Sequence, residues 1–333
     1  MLSDLAAELR QTLGLLHKRD IQPVARHLGA WVPDNTTQTP IWLGDDCAAI
    51  PDGEGYLLLA AEGMWSVLVE TEPWLAGWCG ILVNVSDIYA MGGQPVAVVD
   101  ALWSQSTEQA EQLWAGMKAA SQAFDVPIVG GHTHCHSPYE ALSVAILGRA
   151  QRLMTSFNAQ PGDTLLLVTD LNGQPHPNYP FWDAATMAEP QTLQAHLNLL
   201  PTLAESGLCD AGKDISMGGL VGTLLMLLET SGCGAMLDLE AIPCPSGLDL
   251  KQWLVSFPSY GFLLSVRPDC VEPIQQLFEP HDLVCAAIGQ ITLGHILTFK
   301  SGDESTDFWD LSQEALTGFS PSPSAREHSS SNI

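Results

Sequence analysis

The chain has 333 residues, more than one hydrophobic core ordinarily serves, so two domains are expected. Only 12 Lys and Arg stand against 38 Asp and Glu, and the resulting net charge of −26 repels phosphodiester backbones and anionic bilayers, which argues against nucleic-acid and membrane-surface partners. Nucleotides stay open, because Mg²⁺ held by carboxylates bridges an acidic site to phosphates.

The start, MLSDLAAELRQTLGLLHKRD, reads as an amphipathic helix with charges throughout, not as a signal peptide, and helix is expected to about residue 30. Residues 31–40 read as a polar, proline-flanked loop. Two apolar strand-like runs then flank the turn Pro51-Asp-Gly-Glu-Gly55, which has hairpin chemistry. Helical periodicity over 72–92 ends at Gly92-Gly93, and Pro95 opens the strand PVAVVDALW. The next segment, QSTEQAEQLWAGMKAASQAF, predicts an amphipathic helix capped by Ser106 or Thr107. VPIVGG and ALSVAILGRA follow as strands.

A turn at Ala159-Gln-Pro-Gly-Asp163 leads into TLLLVTDL, a strand that should open a second domain. MGGLVGTLLMLLETSG predicts a long apolar helix stopped by Gly232, with short strands and one more helix to about residue 300. The end, FSPSPSAREHSSSNI, has the composition of disorder. The expected organisation is therefore an N-terminal domain over 1–157, a C-terminal domain over 158–310 and a disordered tail over 311–333. Strands and helices mix without strict alternation, which favours α+β. No window approaches the ~20 apolar residues of a membrane span. The eight cysteines are scattered without a C-x-x-C pair, as in a reduced cytoplasmic protein.

Acids recur at the ends of apolar elements. Asp45-Asp46 follows Gly44 as either a cation site or a solvated turn. Glu62 follows YLLLAA, where a charge is costly unless it is paired or metal-bound. Asp87 sits beside Ser86 in the apolar run ILVNVSDIYAM. Asp214 precedes the apolar helix, where N-capping by Asp214 or Ser216 is the simplest role and anion binding the alternative. Taken together, acids and glycines at element ends in both halves fit Mg²⁺ on a polyphosphate, with glycines allowing close backbone approach.

Other chemistries fit less well. No G-x-G-x-x-G occurs, and Gly207-Leu-Cys-Asp-Ala-Gly-Lys-Asp214 fails as a P-loop because Asp replaces the Mg²⁺-binding Ser or Thr. His132, His134 and His136 would share a face on a strand and suit a transition metal, but Ser137-Pro138-Tyr139 suggests a polar loop instead. No Ser-His-Asp or G-x-S-x-G arrangement is present.

Five ordered motifs carry a resemblance across roughly residues 40–300. They are Gly44-Asp-Asp-Cys-Ala48, Asn84-Val-Ser-Asp-Ile-Tyr-Ala-Met-Gly-Gly-Gln-Pro95, Val129-Gly-Gly-His-Thr133, Gln160-Pro-Gly-Asp163 and Lys213-Asp-Ile-Ser-Met-Gly-Gly-Leu220. In this order they resemble the AIR synthase superfamily, which includes thiamine-monophosphate kinase, selenophosphate synthetase and the hydrogenase maturation protein HypE. The first half looks closest to the kinase, and the whole chain most like stand-alone AIR-synthase-related bacterial proteins.

The resemblance implies two α+β domains and a homodimer whose N-terminal sheets pair into a barrel. ATP and Mg²⁺ would lie between the domains and serve a small, possibly phosphorylated, substrate. By motif, Asp45, Asp46, Glu62, Asp87 and Asp214 look like metal ligands, with Asp87 and Asp214 also catalytic. Asn84, Ser86, Gly92, Gly93, Gly130, Gly131, His132, Thr133 and Ser216 look like nucleotide-binding positions. Three departures stand out: His132 where the family has Asp, Ala61-Glu62-Gly63 for the kinase's Thr-Asp-Thr, and Met217 where the kinase has Asp. The expected activity is phosphorylation or activation of a small metabolite. The alternatives are a nucleotide-binding homologue without turnover or a HypE-like maturation factor.

Overall fold

The computed structural model describes residues 2–28, 41–257 and 261–319; the loop expected at 31–40 and most of the expected tail lie outside the described residues. The amphipathic start forms three short helices, α1 (Leu2–Leu9), α2 (Leu13–Lys18) and α3 (Ile21–Leu28), and not one long one. The hairpin follows as β1 (Ala48–Asp52) and β2 (Gly55–Gly63), with Asp52 opposite Gly55 at its turn.

Next come α4 (Ser66–Thr71), α5 (Pro73–Ala90), β3 (Gln94–Trp103), α6 (Thr107–Phe124), β4 (Ile128–His134) and β5 (Ala141–Ala150). Pro73 opens α5, where its missing amide costs nothing, and Ser106 caps α6 by accepting from the Gln109 amide at 3.2 Å. The five strands form one sheet in the order β1-β2-β5-β3-β4, with β3 and β4 parallel. Leu58, Ala60, Val98, Leu102, Val144 and Ile146 point to its buried face, against which α5 packs. The sheet is open, with β1 and β4 at its edges, so the described residues by themselves form no closed barrel.

The second half runs β6 (Thr164–Thr169), a small hairpin of β7 (Gln174–Pro175) and β8 (Trp182–Asp183), α7 (Pro190–Leu197), α8 (Leu199–Ser206), β9 (Ala211–Asp214) and α9 (Gly219–Ser231). It finishes with β10 (Gly234–Asp238), α10 (Leu250–Leu254), β11 (Phe262–Val266), α11 (Val271–Phe278), β12 (Val284–Thr292), β13 (Ile296–Ser301) and β14 (Glu304–Asp310). Its seven-stranded sheet has the order β14-β13-β10-β12-β6-β11-β9. Helix α9, apolar all round, is buried along nearly its whole length and is ended by Gly232 in the left-handed conformation. The segment 207–214 runs from the end of α8 into β9, the reverse of the strand-to-helix order of a P-loop. Asp163 of the Gln160-Pro-Gly-Asp163 turn accepts from the Gln160 amide at 3.1 Å and the Ser265 hydroxyl at 2.8 Å, a structural role.

Residues 311–319, expected to be disordered, instead pack into the fold. The buried Glu229 carboxylate accepts from the amides of Leu316 and Thr317, both at 2.8 Å, and of Gly318 at 3.2 Å. Composition reads the serine- and proline-rich end as loose, whereas a single buried acceptor on α9 ties its first residues down. Glu229→Ala leaves the buried Leu316 and Thr317 amides unsatisfied and should cost about 2–4 kcal/mol of stability. Urea unfolding checks this; an unchanged midpoint would contradict it.

Candidate functional site

A cavity of about 250 Å³ opens between the two halves of the chain. Asp45 and Asp46 enter it from the segment before β1, Glu62 from the end of β2, and Ser86 and Asp87 from the buried face of α5. Asp214 enters from the last position of β9, and Ser216 from the connection to α9. Asp214 thus ends a strand and does not cap the helix. Carboxylate oxygens of Asp46, Asp87 and Asp214 all lie within 4.8 Å of one another. Each comes from a different element, so only the folded chain assembles them.

Two cations share the space, and the reading of the sequence gave neither a role. Lys213, on β9, is buried and ion-paired with Asp46 Oδ1. Burial by itself would depress its ammonium, but Asp46, Asp45 and Asp214 outweigh that and hold it above the usual lysine range. Lys18, the last residue of α2, donates from Nζ to Ser216 Oγ at 3.2 Å. Burial and then Lys213 lower it, against the pull of Asp214, Glu62 and Asp46. In a chain with only 12 basic residues, a lysine directly before a motif aspartate was a signal available in the sequence.

Burial and neighbouring charge push the acids the other way. Asp214 is pushed up to about 8 by burial and then by Asp46. Asp87 is raised well above the carboxylate range by burial and then by Asp214, Glu62 and Asp46. Glu62 is raised too, by the residues packed around its carboxyl, although the residue as a whole stays exposed at the end of β2. Asp45 rises to about 6 through burial and Asp46, although its oxygens accept the amides of Ser156 at 2.9 Å and Asp46 at 3.0 Å. Those bonds tie Asp45 to the segment after β5, within the first half of the chain, more than they leave it a free ligand.

Hard oxygen donors of this kind suit Mg²⁺. Among the described residues, Asp87 Oδ2 and Ser86 Oγ are buried without a hydrogen-bond partner. Unpartnered buried oxygens are rare because each forfeits its hydration. A cation beside Asp87 would satisfy its oxygen and offset the mutual repulsion of the three acids, so the residues fit the group. Asp46, Asp87 and Asp214 would hold it.

The remaining expected site residues lie elsewhere. Asn84 is fully buried in α5, with Nδ2 donating to the Gly80 carbonyl at 2.8 Å. Gly92 takes φ +73° in the turn after α5, and Gly93 packs under Leu58, where a side chain would collide; both are structural. Gly130, Gly131, His132 and Thr133 are exposed on edge strand β4 and do not line the cavity. The loop expected from His132 onward is strand through His134, because backbone pairing with β3 continues to Trp103 opposite His134. His132 and His134 share a face with ring centroids 5.8 Å apart.

The raised carboxyls give a sign for pH dependence. A folded-state carboxyl pKa near 8, against about 3.9 in an unfolded chain, means that the native state binds the proton more tightly. That contribution to stability is present at low pH and is lost as pH rises toward 8. With divalent ions chelated, the melting temperature should fall over that range, and Asp214→Asn should flatten the fall. A flat wild-type profile would contradict the arrangement.

Residues 44–150 match the model of "AIR synthase related protein, N-terminal domain", and residues 160–300 that of "AIR synthase related protein, C-terminal domain". An uncharacterized protein of Synechocystis sp. is 64% identical over 321 residues, covering 96% of this chain and 99% of its own length. A thiamine-monophosphate kinase of Synechococcus elongatus is 26% identical over 292 residues, 79% of this chain and 87% of the kinase. The solved structure of T. maritima PurL complexed with ATP aligns with TM-score 0.70 and 16% identity, covering 85% of this chain and 48% of that one. This chain therefore spans about half the length of that structure, and the likeness there is one of fold.

Proposed function

This chain belongs to the AIR synthase related family, and on that premise we propose that it is a Mg²⁺-dependent, ATP-using enzyme that phosphorylates or activates a small metabolite. The convergence of Asp46, Asp87 and Asp214, with Asp87 Oδ2 and Ser86 Oγ left unpartnered, carries the reading. A related kinase and a neighbouring fold complexed with ATP support it. Bound Mg²⁺ supplies neutralisation of phosphoryl charge. The chain's own part is to position the reactants: Lys213 holds Asp46, Lys18 and Ser216 offer donors to an anion, and rate enhancement is electrostatic.

If ATP binds the native state only in the presence of Mg²⁺, the pair should raise the melting temperature, with about 2.7 kcal/mol of stabilisation at a hundredfold excess over Kd. No shift with ATP and Mg²⁺ together would contradict the reading. The Lys213–Asp46 ion pair supports a second reading, nucleotide binding without turnover, since an internal cation already claims one acid. A shift without any product formed from ATP and candidate acceptors distinguishes it.

We place this activity in a cytoplasmic homodimer. The face of the N-terminal sheet away from α5 carries Leu59, Val99 and Leu147, which are 48%, 43% and 37% exposed. Leu59 and Leu147 are directly opposed across β2 and β5, giving a continuous apolar surface that a second copy would cover. Sedimentation should give twice the chain mass, and Leu147→Glu should halve it. A monomeric wild type would contradict the dimer.

A further inference from the structure

The wall facing the acids is hydrocarbon. Met64 and Trp65 reach the cavity from the end of β2, Phe181 from the start of β8, Phe257 from beyond α10 and Phe319 from beyond β14. Trp65, Phe181 and Phe257 form a triangle with ring centroids 6.0, 5.6 and 5.3 Å apart, two of the three pairs near edge-on. Rings that served only as core would be fully covered. Trp65 and Phe257 are half-buried and line open space instead.

Size restricts the occupant. A cavity of about 150 Å³ holds benzene. At about 250 Å³ this one admits a one- or two-ring molecule with a small polar head. The polar end also has a free donor. Lys213 is committed to Asp46, whereas Lys18 donates to Ser216 and, among the described residues, makes no ion pair within 4 Å. An ammonium has three donors, so Lys18 retains capacity for an oxyanion. Lys18 and Phe319 line the cavity but lie outside residues 44–150 and 160–300, the stretches matched by the two family domains.

Resting on the function proposed above, we propose that the acceptor carries a flat apolar ring seated against Trp65, Phe181 and Phe257, and an oxyanion, carboxylate or phosphate, held by Lys18 and Ser216. The ring distinguishes it from sugar phosphates and aliphatic amino acids. The oxyanion distinguishes it from neutral or cationic aromatics.

Calorimetric titration of the full chain in Mg²⁺ buffer, without ATP, tests this with phenyl phosphate against glycerol phosphate and phenylacetate against acetate. Each ringed probe should bind about 10- to 100-fold tighter than its ring-free counterpart, the effect of burying one apolar side-chain-sized group. Trp65→Ala should abolish that ratio, and Trp65→Phe should restore most of it. Lys18→Met should weaken phenyl phosphate and glycerol phosphate by the same factor and leave the ratio intact. The stronger of the two ringed probes identifies the head group. Equal binding of ringed and ring-free probes overturns the proposal, as does a ratio unaffected by Trp65→Ala in a variant that melts like wild type. Absence of probe binding in a protein that ATP and Mg²⁺ still stabilise overturns this inference alone. Absence of ATP stabilisation overturns the reading beneath it.

Discussion

Asp87→Asn should abolish turnover of ATP, by at least about a hundredfold, while making the metal-free protein more stable. The two effects have one cause. Asp87 is buried in α5 with its Oδ2 unpartnered and Asp46 and Asp214 within 4.8 Å, so its charge is repelled in the bare fold and useful only when a cation is bound. An amide removes the repulsion and the ligand together. The gain is read by urea unfolding with divalent ions chelated, as a higher midpoint than wild type. The Mg²⁺-dependent rise in melting temperature should vanish in the same variant. Opposite signs for stability and function mark a site strained for its task. A destabilised Asp87→Asn that still turns over ATP would mean that Asp87 is ordinary structure.

Lys213→Met should have the largest effect on stability. Lys213 and Asp46 are 5% and 4% exposed in their side chains, and removing one member leaves the other's charge buried and unpaired. Loss of one partner of such a pair costs about 3–5 kcal/mol. The double variant Asp46→Asn/Lys213→Met should recover most of this, because no charge is then left without a partner. Mg²⁺ should partly rescue the single variant by taking the place of the lost ammonium beside Asp46, and should do nothing for the double. Single-variant stability within about 0.5 kcal/mol of wild type, the range of ordinary surface changes, would show that the pair is solvated and not built into the site.

The parts of the fold written in local chemistry were legible. Hairpin residues Pro51–Gly55, the Ser106 cap, Gly92 after α5 and Gly232 after α9 all act through their immediate neighbours, and the structure places each at the turn or helix end its type favours. The acids were legible as a group, since carboxylates ending apolar runs need a reason to be there. Their division of labour was not. Asp45 accepts backbone amides and Asp46 shares one oxygen with Lys213, partners set by chain folding and invisible to spacing. Lys18 sits on a short helix whose amphipathic pattern looks like any surface helix, and only its packing against the connection to α9 puts its ammonium in the cleft. His132 was misplaced because the proline after Ser137 suggested a loop, while pairing with β3 carries the strand through His134. Residues 311–319 were misread for a similar reason: composition reports average solvation, and one buried Glu229 overrides it.

A crystal of the full chain soaked in Mn²⁺ with a non-hydrolysable ATP analogue, recorded at the manganese edge, tests the central claim most directly. An anomalous peak is expected touching carboxylate oxygens of Asp46, Asp87 and Asp214, with phosphate oxygens completing its shell. A peak on His132 and His134 in place of the acids, or none at all with the analogue bound, would contradict it.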